Sequence, residues 1–156
     1  MVNITITAKS FVAAFAAAIQ LGGNSSVPIR TIADTVATFF LPNQTSFSLG
    51  SISIRSNESV VAEGAYETFL QYNKSGVGLD VRLEESRIEQ VSDQSAICWI
   101  TWKIYPRNCQ KSWDWTNVYG FRLLTNGTSG LPGGWEWSIG DNEHEQFATH
   151  LHIPRT

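Results

Sequence analysis

An α+β domain is what the sequence predicts, on two observations. Apolar residues recur at helical spacing in three stretches before residue 73, and from Leu79 onward the spacing changes to alternation in a series of long runs. Gly and Pro clusters punctuate these runs, with no repeat, low-complexity block or linker between them, so 1–156 reads as a single domain with a flexible tail from about 146. Helices must cover one face of such a sheet. A strongly bent antiparallel sheet wrapped around three N-terminal helices would form a cone-shaped α+β barrel with a pocket at its open end.

Ala8 to Leu21 is the first helix, rich in Ala, with Phe11, Ala14, Phe15, Ala18 and Ile19 on one face and Gly22-Gly23 as its stop. Pro28 to Phe40 is the second. Pro28 suits a first turn, Ile29, Ile32, Ala33, Val36 and Phe40 recur at helical spacing, and Pro42 ends it. Thr45 to Arg55 alternates around Phe47, Leu49, Ile52 and Ile54, a strand interrupted at Gly50. Ser59 precedes a third helix, Val60 to Tyr72, broken by Gly76 and Gly78. Asp80 to Val91 and Ser95 to Tyr105 flank a turn at Ser92-Asp93 and read as a hairpin, with Trp113 to Leu124 and Gly134 to Asp141 completing the strands.

At 42% hydrophobic and 12% aromatic, 156 residues can bury one substantial core. Eleven Lys+Arg against fourteen Asp+Glu give a net charge of −3, with no basic surplus for nucleic acid or an anionic membrane. Two cysteines, Cys98 and Cys109, exclude a disulfide scaffold and a thiolate zinc site, and point to a reducing, cytoplasmic setting. Phe11 to Leu21 is too short to span a bilayer, and Met1 to Thr7 has no charged side chain for a secretory signal. The six sequons at Asn3, Asn24, Asn43, Asn57, Asn73 and Asn126 read as polar loop and cap residues. His150, His152 and Glu143 or Glu145 offer metal-ligand types, but in a tail, so no metal site is assigned.

The order helix, helix, short strand, helix, then four long strands ends in Trp115-Thr116-Asn117-Val118-Tyr119-Gly120-Phe121-Arg122 and Gly134-Trp135-Glu136-Trp137-Ser138-Ile139-Gly140-Asp141. This layout resembles the nuclear-transport-factor-two-like superfamily, and within it SnoaL-like proteins of filamentous fungi. The resemblance implies a cofactor-independent isomerase or cyclase of secondary metabolism, using carboxylate and phenol acid–base catalysis on a hydrophobic polycyclic substrate. It also implies a homodimer through the convex sheet face. Non-catalytic binding or interaction modules share the same fold.

A dry cone shifts a carboxyl pKa towards the working pH and strengthens hydrogen bonds to developing charge. Strand alternation groups Trp115, Asn117, Tyr119 and Phe121 as pocket lining, and on the last strand Trp135, Trp137, Ile139 and Asp141. Asp141 is the leading carboxylate for proton transfer, at a strand end where SnoaL-like cyclases carry an Asp; its other reading is a turn cap beside Asn142. Asp34 is the second candidate, or else a solvated helix-face carboxylate among Thr31, Thr35 and Thr38. Tyr119 is assigned to donate to a substrate oxygen, while Trp115, Asn117, Phe121, Trp137 and Phe40 form the substrate-binding set. Plain core packing is the competing reading for each. Of the cationic residues, Arg30, Arg82 and Arg122 are the ones considered for the interior, and Cys98 reads as core.

Overall fold

The computed structural model describes residues 2–124 and 130–151. Helix α1 (Ile4–Gln20) begins earlier than its Ala-rich stretch suggests, because the Asn3 side chain accepts a hydrogen bond from the Ile6 backbone N–H (3.1 Å) and caps it. Its buried face is Ile4, Ala8, Phe11, Val12 and Phe15, while Ala14 is exposed. Extended by a short 3-10 turn at Leu21–Gly23, the segment Ile4–Gly23 is 20 residues and contains an 18-residue window of mean hydropathy 1.6. It is therefore long and apolar enough to cross a membrane, unlike the shorter run read from sequence. Here its apolar face packs on the sheet.

Helix α2 (Ile29–Ala37) stops three residues before Phe40, which instead opens strand β1 (Phe40–Ser48). Strand β2 (Ser51–Arg55) returns antiparallel through Leu49 and Gly50, both at positive φ (39° and 85°), the signature of a two-residue hairpin loop. So the Thr45 to Arg55 run is two strands, and Gly50 is their turn. Helix α3 (Glu58–Lys74) is capped by Asn57, whose side chain accepts from Val60 N–H (3.0 Å). The sequons at Asn3 and Asn57 are thus helix caps, and Asn126 lies outside the described residues.

Strands β3 (Val81–Ser92), β4 (Ser95–Ile104), β5 (Trp113–Leu123) and β6 (Gly133–Ile139) form an antiparallel meander. The order across the sheet is β2-β1-β6-β5-β4-β3. The sheet is mixed and open, because β1 pairs parallel to β6 and β2 and β3 remain as edges. Alternation reports which face a residue takes but not which neighbour a strand joins. The crossover through α3 sets the direction of β1 relative to β6.

Trp135, Phe11, Phe15 and Phe121 are all but fully buried, and Phe11 and Phe15 each meet Trp135 edge-on at 4.7 and 5.4 Å between ring centroids. Each such side chain contributes on the order of 1.5–3 kcal/mol by leaving water, and together they fix α1 inside the concave face. Phe121 therefore belongs to the core. Cys98 is buried beside them, where desolvation pushes its thiol up to about 12, and Cys109 is exposed; both are free thiols.

Register on β6 departs from simple alternation. Gly120 faces Trp137 and the next residue, Phe121, faces Trp135, so Glu136 is an extra residue, a bulge. Trp135 points into the core, whereas Trp137 lies over Gly120, where a Cβ would collide with the indole. Helix α4 (Asp141–Leu151) follows, in place of the flexible tail expected from about 146. Asp141 and Glu143 in its first turn favour a helix start. Phe147 meets Tyr72 edge-on at 4.7 Å, and His150 stacks on Trp113 at 4.2 Å, which seats the helix on the domain. His152 lies outside the described residues, and among those described no group of His, Cys, Asp and Glu could hold a metal ion.

Replacing Gly120 with Val should force the Trp137 indole off the outer face and destabilise the fold by about 1–3 kcal/mol, read as a lower denaturation midpoint with an unchanged slope.

Candidate active site

A cavity of about 380 Å³ lies between the concave sheet face and helices α1, α2, α3 and α4. Its volume is within the range of small-ligand sites. One wall is aromatic and aliphatic, including Phe15, Phe40, Tyr72, Trp102 and Trp115. The other is hydroxylic: Gln44, Ser46 and Ser138 form a connected set, with Gln44 Nε2 donating to both serine hydroxyls at 2.9 Å. The cavity is neither wholly apolar nor neutral.

Its chemistry centres on Asn117, on the inner face of β5. The Nδ2 group donates to Glu143 Oε1 at 2.8 Å and to the Tyr119 hydroxyl at 3.2 Å, one proton for each. Because a carboxylate only accepts, this partner also fixes the amide orientation. Tyr72 donates its hydroxyl to Glu143 Oε2 at 3.3 Å. Both oxygens of Glu143 are thereby held, by groups from α3 and β5.

The two phenols differ in what their protons do. Tyr72 spends its proton on Glu143, whereas the Tyr119 hydroxyl accepts from Asn117 and donates to no protein acceptor among the described residues. Burial, then the negative charge of Glu143, pushes Tyr72 well above the ordinary phenol value, and the same causes in the same order raise Tyr119. The Asn117 amide that donates to the Tyr119 hydroxyl, and the nearby Trp102 indole, oppose that rise. Both remain protonated donors at neutral pH. Trp115 Nε1 and Asn117 Oδ1, both buried, make no hydrogen bond among the described residues, leaving a donor and an acceptor unspent on residues that line the cavity.

The structure thus brings Tyr119, Asn117, Trp115 and Phe40 to one cavity and leaves other candidates elsewhere. Asp141 is exposed, and its Oδ1 accepts from the Leu49 backbone N–H at 2.8 Å, tying α4 to the β1–β2 turn. Asp141 thus neither lines the cavity nor caps a turn beside Asn142: both residues open α4, and its partner is Leu49. The parity argument for Asp141 fails at the Glu136 bulge, which shifts Ser138 inward and Trp137 outward. Asp34 sits on the exposed side of α2 in a shallow surface depression with Arg30 and Glu63, because the apolar side of that helix is the one that faces inward. Neither Phe121 nor Trp137 lines the cavity.

Sequence reasoning missed Glu143, Tyr72 and Arg55. Glu143 stands two residues beyond Asp141, in a segment whose acidic first turn signals a helix. Reading that signal would have turned one of its side chains back onto β5. Asn142 completes the anchoring, its Oδ1 accepting from Thr116 N–H at 2.7 Å. Three consecutive residues, Asp141, Asn142 and Glu143, thus bond to three different places, the last of them the site itself.

No protein-family model matches the chain, and no curated protein matches it. Solved structures do. An NTF-2-like protein of unknown function from Shewanella oneidensis superposes with a TM-score of 0.60 at 9% identity, over 86% of this chain and 96% of that one. A ketosteroid isomerase-like protein from Erwinia carotovora atroseptica gives 0.59 at 12% identity, over 86% and 92%. The protein Aln2 from a Streptomyces species gives 0.62 at 8% identity, over 94% and 96%. At these identities the likeness is one of fold. The chain has the nuclear-transport-factor-two-like fold, an α+β arrangement whose mixed six-stranded sheet stays open.

Proposed function

We propose that this protein is a cofactor-independent acid–base enzyme, an isomerase or cyclase, that moves a proton on the skeleton of a hydrophobic polycyclic substrate. The observation that carries this reading is the Asn117 amide, which holds the Glu143 carboxylate and the Tyr119 hydroxyl side by side and leaves the phenol proton uncommitted. Glu143 takes a proton from carbon next to a carbonyl, and Tyr119 donates a hydrogen bond to the oxygen on which negative charge develops. Glu143 then returns the proton at another carbon. Each step uses groups already on the wall, and in a largely apolar cavity that preorganisation lowers the barrier.

The aromatic wall suits a flat fused-ring skeleton. Fold likeness to a ketosteroid isomerase-like protein supports this chemistry, and so does the resemblance to proteins of secondary metabolism. A non-catalytic binding module is the rival, and a carboxylate held at both oxygens beside a free phenol weighs against it. We extend the proposal to a homodimer through the outer sheet face, supported by Ile52 and Ile54, which are 70% and 68% exposed there.

A panel of fused-ring β,γ-unsaturated ketones, followed by the absorbance of the conjugated product, tests the chemistry. Glu143→Gln should lower turnover by about 10²–10⁴-fold and Tyr119→Phe by about 10²–10³-fold, whereas Asp141→Asn should cost less than about tenfold because it acts on helix position alone. Wild-type rates no better than buffer would favour the binding module. With both phenols raised above about 10, the stability they contribute is whole below that pH and is lost as pH climbs through their folded values. Melting temperature should therefore fall above about pH 10, and less steeply in Tyr72→Phe. In sedimentation, Ile52→Glu should convert a dimer to monomer while the chain stays folded.

A further inference from the structure

We propose that Arg55 makes the β2 end of the cavity a carboxylate-binding subsite, so that the substrate is an apolar skeleton bearing an acid group remote from Glu143. The proposal deepens the reading of the cavity as a substrate pocket and rests on it.

Arg55 differs from its counterparts. Arg30, Arg82, Arg87 and Arg122 each pair with an acid, and Arg107 donates to the Gly22 carbonyl. Arg55 alone makes no hydrogen bond or ion pair among the described residues, although it is half-buried and lines the cavity. Burial disfavours its charge, and the acid whose field reaches it, Glu67, is exposed on α3 and forms no ion pair with it. A guanidinium withdrawn from water without a counterion is costly, and a ligand carboxylate would offset that cost with two parallel hydrogen bonds.

The fold makes room for this group. Gly64 of α3 lies against the guanidinium, and a Cβ there would collide with Nη1, so the bare helix backbone forms its bed. Ser51 and Ser53 precede Arg55 on the same face of β2 and line the same wall. No other Arg or Lys lines the cavity among the described residues, so the positive charge available matches a monoanion.

Position sets the shape of the ligand. Arg55 on β2 is three strands from Asn117 on β5, about 14 Å along the sheet at about 4.8 Å per strand. Glu143 would repel an acid at its own end, so the two charges orient the substrate, with its anion at Arg55 and its reacting carbon at Glu143.

The test titrates the purified protein calorimetrically with naphthoate and with naphthamide, its neutral counterpart, at about pH 8, where the acid is ionised. Wild type should prefer naphthoate by about tenfold or more. In Arg55→Gln the preference should fall to about one with naphthamide binding retained, while Arg55→Lys should keep part of it. Circular dichroism checks that each variant is folded. Equal affinity of wild type for the two ligands, failure to bind either, or an undiminished preference in folded Arg55→Gln overturns the subsite. Glu143→Gln separates the two proposals: it should keep or raise the naphthoate preference while losing ketone turnover. Retained turnover with a retained preference would sink the acid–base reading and leave the subsite standing.

Discussion

The bulge at Glu136 is the constraint on which both the core and the site depend. One extra residue on β6 lets Trp135 enter the core against Phe11 and Phe15 while Trp137, two positions on, lies on the outer face over Gly120. The same shift turns Ser138 into the cavity, where it meets Gln44. It is held from outside by the two-bonded pair of Arg122 with Glu136, both contacts at 3.0 Å. Without the bulge the strand would present Glu136 and Ser138 on one face and all its large apolar residues on the other. β6 could then not serve a core at one end and a polar wall at the other.

Where β6 ends, α4 begins, and that junction delivers the carboxylate. Asp141 accepts from the Leu49 N–H in the β1–β2 turn and Asn142 from the Thr116 N–H within β5, so the first turn of α4 has little freedom to rotate. Glu143 is consequently aimed at Asn117 and Tyr72. A negative charge partly withdrawn from water needs such partners, and the cavity supplies two. Tyr72 and Tyr119 feel that charge in turn, and with burial it keeps both phenols protonated. The site is thus one coupled set in which base, donor and linking amide hold one another.

Charge is distributed across the cavity by strand order. Glu143 stands over β5, Arg55 on β2, and between them β1 and β6 place serines and Gln44. An apolar skeleton bound along this axis would meet hydrogen-bonding groups at its two ends and along one edge, with rings of Phe15, Trp102 and Trp115 on its face. Such a division favours a defined orientation over tight but random burial.

Much of the architecture is determined by the sequence alone, since helical and alternating spacing are local. The three N-terminal helices, the hairpin at Asp93, the long strands and the inward set Trp115, Asn117 and Tyr119 all follow from side-chain period within one element. What tertiary structure decided lies between elements. The parallel pairing of β1 with β6 depends on a crossover, and a bulge reverses parity for every residue after it, which is why Trp137 and Asp141 fall outside the site. A helix after β6 converts an apparent tail into the carrier of Glu143. Arg55, at the end of a short strand with exposed neighbours, becomes a cavity residue only because Gly64 of another element leaves space beside it. Periodicity places a residue on a face; only the packed fold determines what that face meets.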